Sequence, residues 1–190
     1  MPVDAAAKVS VRQVALLRGI NVGTAKRVAM ADLRALVGAL GYGDVRTLLN
    51  SGNVVYDAPG VSPPVAARRI EKALLATLGV AARVVSLSAA EIDEAVAVNP
   101  LADVADNPSR LLVAVPADPA SRDLLEPLLE REWAPEALYL GARVAYLWCP
   151  GGVIASALAA AVNQLLGAAV TSRNWTTMVK LRALVRDARD

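Results

Sequence analysis

The stretch Val45-Arg46-Thr47-Leu48-Leu49-Asn50-Ser51-Gly52-Asn53-Val54-Val55-Tyr56 decides the fold. Two short runs of strand-forming residues, 45–49 and 53–56, flank Asn50-Ser51-Gly52, whose residues favour a turn. The pair therefore reads as a β-hairpin. Working backwards, Leu33, Leu36, Val37 and Leu40 recur at helical spacing, and Gly41 stands where a helix C-cap belongs. Residues 14–17 form a continuous apolar run that suits a central strand buried on both faces. Working forwards, Ser62-Pro63 supplies an N-cap and a first-turn proline, and the helix that follows aligns Ala66, Ile70, Ala73 and Leu74 on one face. Residues 80–87 close the unit as a strand. The order is β-α-β-β-α-β, the ferredoxin-like arrangement.

The same order recurs downstream. Ser88-Ala89-Ala90-Glu91 is a capping box opening a short helix, and residues 99–109 read as a loop. Residues 111–115 form an apolar strand. Asp118-Pro119 opens a helix with Leu124, Leu125, Leu128 and Leu129 as its apolar face, and Pro127 is expected to kink or split it. Residues 137–140 and 143–149 make a hairpin around Gly141-Ala142. Ile154, Leu158, Ala161 and Leu165 mark the next helix, which Gly167 ends, and residues 168–171 form a short strand. A final helix runs from Trp175, with Met178, Leu181 and Val185 turned inward. The expected fold is thus α+β: residues 1–10 a disordered tail, 11–88 a first ferredoxin-like half, 89–109 a connector, and 110–190 a second ferredoxin-like half with a C-terminal helix.

Composition removes whole classes of chemistry. The chain has 190 residues, no histidine and one cysteine. Ser-His and Cys-His catalysis, histidine metal sites and multi-cysteine zinc sites are therefore excluded, and no metal site is expected. Twenty basic residues against 18 acidic ones leave a net charge of +2, too small a surplus for a dedicated nucleic-acid binder. Aromatic residues make up 4% and phenylalanine is absent, so no stacking platform of the RNA-recognition type is expected. With no signal peptide and no apolar run long enough to span a bilayer, the expected compartment is the cytoplasm and no membrane partner is expected.

Three segments carry polar residues suited to a ligand. Arg18-Gly19-Ile20-Asn21-Val22-Gly23 follows the first strand, with Lys26 and Arg27 beyond it; glycines admit a ligand to backbone N–H groups and the basic residues favour anions. Thr171-Ser172-Arg173-Asn174 precedes a helix and combines hydroxyls with a guanidinium. Ser51 and Asn53 sit in the first hairpin, where a plain turn is the favoured reading and no base is at hand to activate the serine. That hairpin is expected at the far end of the sheet from the Arg18 loop, about 16 Å away at roughly 3.3 Å per residue. Glu91, Asp93 and Glu94 read as a solvated helix face, and Cys149 as a buried small hydrophobe.

Taken together, Leu16-Leu17-Arg18-Gly19-Ile20-Asn21-Val22-Gly23, Met30-Ala31-Asp32-Leu33-Arg34, Ser51-Gly52-Asn53-Val54-Val55 and Thr171-Ser172-Arg173-Asn174-Trp175-Thr176-Thr177 resemble the bacterial family DUF1697. The resemblance implies an α+β fold with two ferredoxin-like halves, and no activity, substrate or cofactor. It places weight on Arg18, Gly19, Asn21, Gly23, Ser51, Gly52, Asn53, Arg173, Asn174 and Trp175. One stretch departs: where the family shows a G-R-S-K-like run, this chain has Ile154-Ala155-Ser156-Ala157. If the family's basic residues there hold an anion near Arg173, Ala155 and Ala157 weaken that site.

Two functions remain open on these residues. One is a site for a small phosphate- or carboxylate-bearing ligand, nucleotides included, built from Arg18, Gly19, Asn21, Gly23, Lys26, Ser51, Asn53, Arg173 and Asn174. The other is a protein-interaction or self-assembly module in which the same motifs brace the two halves. The motifs name no cofactor and no catalytic group, and both a monomer and a homodimer are compatible with them.

Overall fold

The computed structural model describes residues 11–23 and 27–187; the expected tail at 1–10 lies outside them. The first half runs β1 (Arg12–Leu17), α1 (Met30–Ala39), β2 (Gly43–Leu48), β3 (Asn53–Asp57), α2 (Pro63–Leu78) and β4 (Val84–Ser88). A connecting helix, α3 (Ala89–Ala97), leads to β5 (Leu111–Pro116), a 3-10 helix (Pro119–Glu130), β6 (Ala137–Leu140), β7 (Ala145–Trp148), α4 (Ala157–Leu166) and β8 (Val170–Asn174). The chain closes with α5 (Trp175–Arg186). The sheets are ordered β2-β3-β1-β4 and β6-β7-β5-β8, and every neighbouring pair is antiparallel. Each half therefore has the α+β topology expected from its element order.

Side-chain alternation along the strands assigns the layers. Ala15, Leu17, Val54, Tyr56 and Val84 pack outward against α1 and α2. Their neighbours Val14, Leu16, Val55, Val85 and Leu87 face the opposite way, into a core shared with Val113, Val115 and Tyr146 of the second sheet. Ile92 of α3 and Met178, Leu181 and Val185 of α5 fill that shared core. The far face of the second sheet packs Ala114, Ala145 and Leu147 against α4 and the 3-10 helix. The two halves are thus not separate bodies, because both sheets bury one face against the same pair of helices.

Local differences from the expectations have local causes. Pro127 removes an N–H from its helix, and the segment winds as a 3-10 helix. At three residues per turn, Leu125 and Leu128 fall on one face and are buried, while Leu124 and Leu129 turn to solvent. Ile154 lies before α4 and is fully exposed, because Ser156 is the N-cap and accepts a hydrogen bond from the Ala159 N–H at 2.9 Å. The last strand starts two residues later than expected and carries Arg173 and Asn174 within it.

Of the acidic residues of α3, Glu94 is exposed as expected, but Glu91 and Asp93 are engaged. Glu91 completes the capping box with Ser88 and also accepts from Arg143 at 2.9 Å. Asp93 accepts from Arg182 at 2.9 Å and Arg186 at 2.7 Å, clamping α3 to α5. The Tyr146 hydroxyl donates to the Ala95 carbonyl at 2.8 Å, and burial pushes its pKa up to about 12. Among the described residues no helix is long and apolar enough to cross a membrane.

Because the central core is common to both halves, Leu181→Ala is expected to lower stability by about 2–5 kcal/mol while urea unfolding stays a single transition. Two resolved transitions would show that the halves fold independently. Burial works to raise the Asp93 pKa, but hydrogen bonds from Arg182 and Arg186 outweigh it and hold the carboxyl below its ordinary value. A lowered carboxyl pKa contributes stability above the unfolded value of about 4 and loses it as pH falls through the folded one. Asp93→Asn should therefore cost under about 1 kcal/mol at pH 7, and that cost should be smaller at about pH 3. Urea midpoints at the two pH values measure it.

Candidate functional site

The first hairpin and the loop after β1 lie at the same end of the sheet, which corrects the expected separation. β1 pairs antiparallel with β3, opposing Leu16 to Asn53, so the end of one strand lies beside the start of the other. The Leu17 N–H donates to the Gly52 carbonyl at 2.8 Å. Gly52 has φ 75°, and a Cβ there would stand 2.7 Å from Leu17 Cβ and 2.8 Å from Ile20 Cδ1. Only glycine fits this approach.

Asn21 locks the loop to that hairpin. It takes φ 55°, its Nδ2 donates to Val28 O at 2.9 Å and Asn50 O at 2.8 Å, and its Oδ1 accepts from the Val28 N–H at 2.8 Å. Its polar atoms hold the backbone rather than a ligand. Lys26 lies outside the described residues. Gly23 is exposed and borders neither of the two concavities described below.

Arg173 reaches from β8 to the first half. Its Nε donates to Asn53 Oδ1 at 2.5 Å, and one terminal nitrogen donates to Thr171 Oγ1 and Ser172 O, both at 2.9 Å. The other terminal nitrogen donates to Leu17 O at 2.8 Å and Ser51 O at 3.2 Å. Every N–H of the fork has an acceptor, and each acceptor is neutral. Burial pushes the Arg173 pKa down to about 10. Asn53, fully buried, completes the brace by donating from Nδ2 to Leu48 O and Ser51 Oγ, both at 2.9 Å. Asn174 caps α5, accepting from the Thr177 N–H at 2.9 Å, and Trp175 packs partly buried against the shared core.

Two concavities meet at Arg18 and Gly19. One, of about 560 Å³, lies where the halves face each other and includes Ser51, Thr171, Ser172, Arg173 and Asn174 in its wall. The other, of about 710 Å³, lies against α2 and the start of β4 and includes Arg68, Glu71, Lys72 and Arg83. The Arg18 guanidinium donates to the Val170 carbonyl through one nitrogen and forms no ion pair among the described residues. The structure thus brings together Arg18, Gly19, Ser51, Arg173 and Asn174, with only Arg18 presenting a guanidinium whose donors are mostly free. Arg68, Lys72 and Arg83 were missed in the sequence reading. The signal for Arg68 and Lys72 was their spacing of four, which puts both on one helix face; Arg83, before β4, carried none.

Ala155 and Ala157 stand elsewhere, in a third concavity with Arg131, Trp133 and Glu136. The Leu158 N–H at the start of α4 donates to Glu136 Oε2 at 3.0 Å, so a carboxylate of the chain already occupies that helix end. Ala155 and Ala157 line this third concavity and not the one walled by Arg173, which Val153 borders. Cys149 is fully buried, and burial pushes its thiol pKa up, away from the nucleophilic thiolate.

A family model described as protein of unknown function (DUF1697) matches residues 11–146. Among solved structures, a conserved bacterial protein from Streptococcus pneumoniae is similar, with a TM-score of 0.74 and 22% identity. The match covers 92% of this chain and 98% of that one, and at this identity it speaks to the fold alone. No curated protein matches.

Arg173→Lys keeps the charge and removes the fork. Lysine has one nitrogen where the present acceptors surround three, so Asn53 Oδ1 and several carbonyls lose their donors. The expected cost is about 2–4 kcal/mol in urea denaturation. A change below about 0.5 kcal/mol, the range of ordinary surface substitutions, would contradict the bracing role.

Proposed function

The chain belongs to the DUF1697 family, and we propose that it binds a small anionic ligand, phosphate- or carboxylate-bearing, around Arg18. The observation that carries this reading is the contrast between the two arginines. Arg173 has all its donors engaged by the fold, whereas Arg18 has one bond to Val170 O and stands at the border of two concavities. A guanidinium with free donors and no carboxylate partner favours a carboxylate or phosphate, and each charge-assisted hydrogen bond contributes about 1.5–3 kcal/mol. The exposed Gly19 leaves the backbone beside it open to a ligand.

Asn21, Asn53, Arg173 and Asn174 act in this reading as positioning residues: they hold the Gly19 loop, the hairpin and β8 in register around Arg18. The reading is for a cytoplasmic protein, in keeping with a single buried cysteine, and it assigns no catalytic group.

The test is a thermal-shift and calorimetric screen of phosphate, sugar phosphates, nucleotides and small carboxylates. A ligand at about 100 times its Kd should stabilise the fold by roughly 2.7 kcal/mol. Arg18→Met, checked for native circular dichroism, should abolish that stabilisation. Binding that Arg18→Met leaves intact, or no stabilisation by any anion in the screen, would overturn the reading.

A further inference from the structure

We propose that the concavity between α2 and β4 receives a diphosphate or longer polyphosphate group, so that the ligand is a polyphosphate ester rather than a monoanion. This rests on the Arg18 reading above and names the ligand class. The sequence as a whole is nearly balanced, with 20 basic and 18 acidic residues. Around this concavity the balance is broken: Arg18, Arg68, Lys72 and Arg83 face a single carboxylate, Glu71.

That carboxylate is already engaged. Glu71 Oε1 accepts from the Val84 N–H at 2.8 Å, and Oε2 lies 3.6 Å from Arg83. It serves to dock α2 on β4 and to steer Arg83. Arg18, Arg68 and Lys72 form no ion pair among the described residues. The Arg18 N–H donates to the Arg83 carbonyl at 2.8 Å, which holds the backbones bearing these two guanidiniums together. A concavity walled by one sign of charge focuses potential and concentrates counter-ions. One carboxylate or orthophosphate would leave much of this charge unmatched, whereas a polyphosphate carries more charge over a longer span.

The rest of the wall is apolar. Leu75 is 58% exposed, and Ala81, Ala82 and Ala168 complete the lining. Hydrocarbon beside a cation cluster suits the organic part of an ester. The volume, about 710 Å³, lies within the range of small-molecule sites.

The experiment measures the Kd of orthophosphate, pyrophosphate and adenosine diphosphate by calorimetry at low and moderate salt. The proteins are the full chain, Arg18→Met and the double variant Arg68→Ala/Lys72→Ala, whose sites are exposed helix positions. Pyrophosphate should bind the parent at least about tenfold more tightly than orthophosphate. The double variant should lose about tenfold or more for pyrophosphate and a clearly smaller factor for orthophosphate. Adenosine diphosphate should bind at least as tightly as pyrophosphate, and the pyrophosphate preference should shrink with salt.

If pyrophosphate shows no preference, or the double variant binds it like the parent, the polyphosphate pocket is refuted. An effect of Arg18→Met on orthophosphate would then still uphold the simpler anion site. If the double variant loses pyrophosphate while Arg18→Met binds both anions normally, the pocket stands and the Arg18 reading falls. A single-stranded oligonucleotide bound through Arg68 and Lys72 more tightly than any small polyphosphate would overturn the proposal in favour of a nucleic-acid surface.

Discussion

The guanidinium of Arg173 crosses from the second sheet to the end of the first, and the geometry around Arg18 depends on that crossing. Its acceptors are Asn53, Leu17 O and Ser51 O on one side, and Thr171 and Ser172 O on the other. These groups lie where the two halves meet, with Asn53 and Thr171 among them buried. A planar fork with five donors matches such a fan of acceptors, which a single ammonium does not. The charge is held without a carboxylate, and burial lowers its pKa accordingly. The candidate site therefore borders a positive centre whose acceptors are all neutral.

That brace works together with the shared core. Each sheet turns its inner face to α3 and α5, so sliding one half against the other would uncover Val14, Leu16, Val113, Val115 and the helix residues between them. The clamps of Glu91 on Arg143 and of Asp93 on Arg182 and Arg186 fix the same two helices at their rims. At the opposite end of β1, Arg12 pairs with Asp57 at 2.9 Å and with Asp44, and donates to the Asp187 carbonyl at 3.1 Å, tying the end of α5 to the first sheet. The halves are thereby held rigidly enough for loops from both to form one wall.

The division of labour among the polar motifs follows from these constraints. Asn21, Asn53 and Asn174 each satisfy backbone groups or a helix end, and Ser51 serves as an acceptor for Asn53. Bracing, which stood on the sequence as the alternative to ligand binding, occupies most of these residues, and the proposed binding falls to Arg18. Arg18 is set apart because its guanidinium bonds one carbonyl and forms no ion pair among the described residues.

Much of this protein is legible from its residues alone. Period-two strands, helical stripes, the caps at Ser88 and Asp118 and the turn at Gly52 are interactions among near neighbours, so element order and the α+β class follow directly from local pattern. The polar loop residues are equally visible, but not their tasks. Arg18 and Arg173 are the same side chain at similar loop-like positions, and only the pairing of β5 with β8 and of β1 with β3 brings acceptors to one and leaves the other bare. The same pairing sets the hairpin beside the Arg18 loop, and the packing of α2 on β4 gathers Arg68, Lys72 and Arg83 from two elements into one concavity. Periodicity within a segment carries no record of which distant segment lies alongside it. The tertiary structure decided those matters because they rest on contacts between residues far apart in the chain.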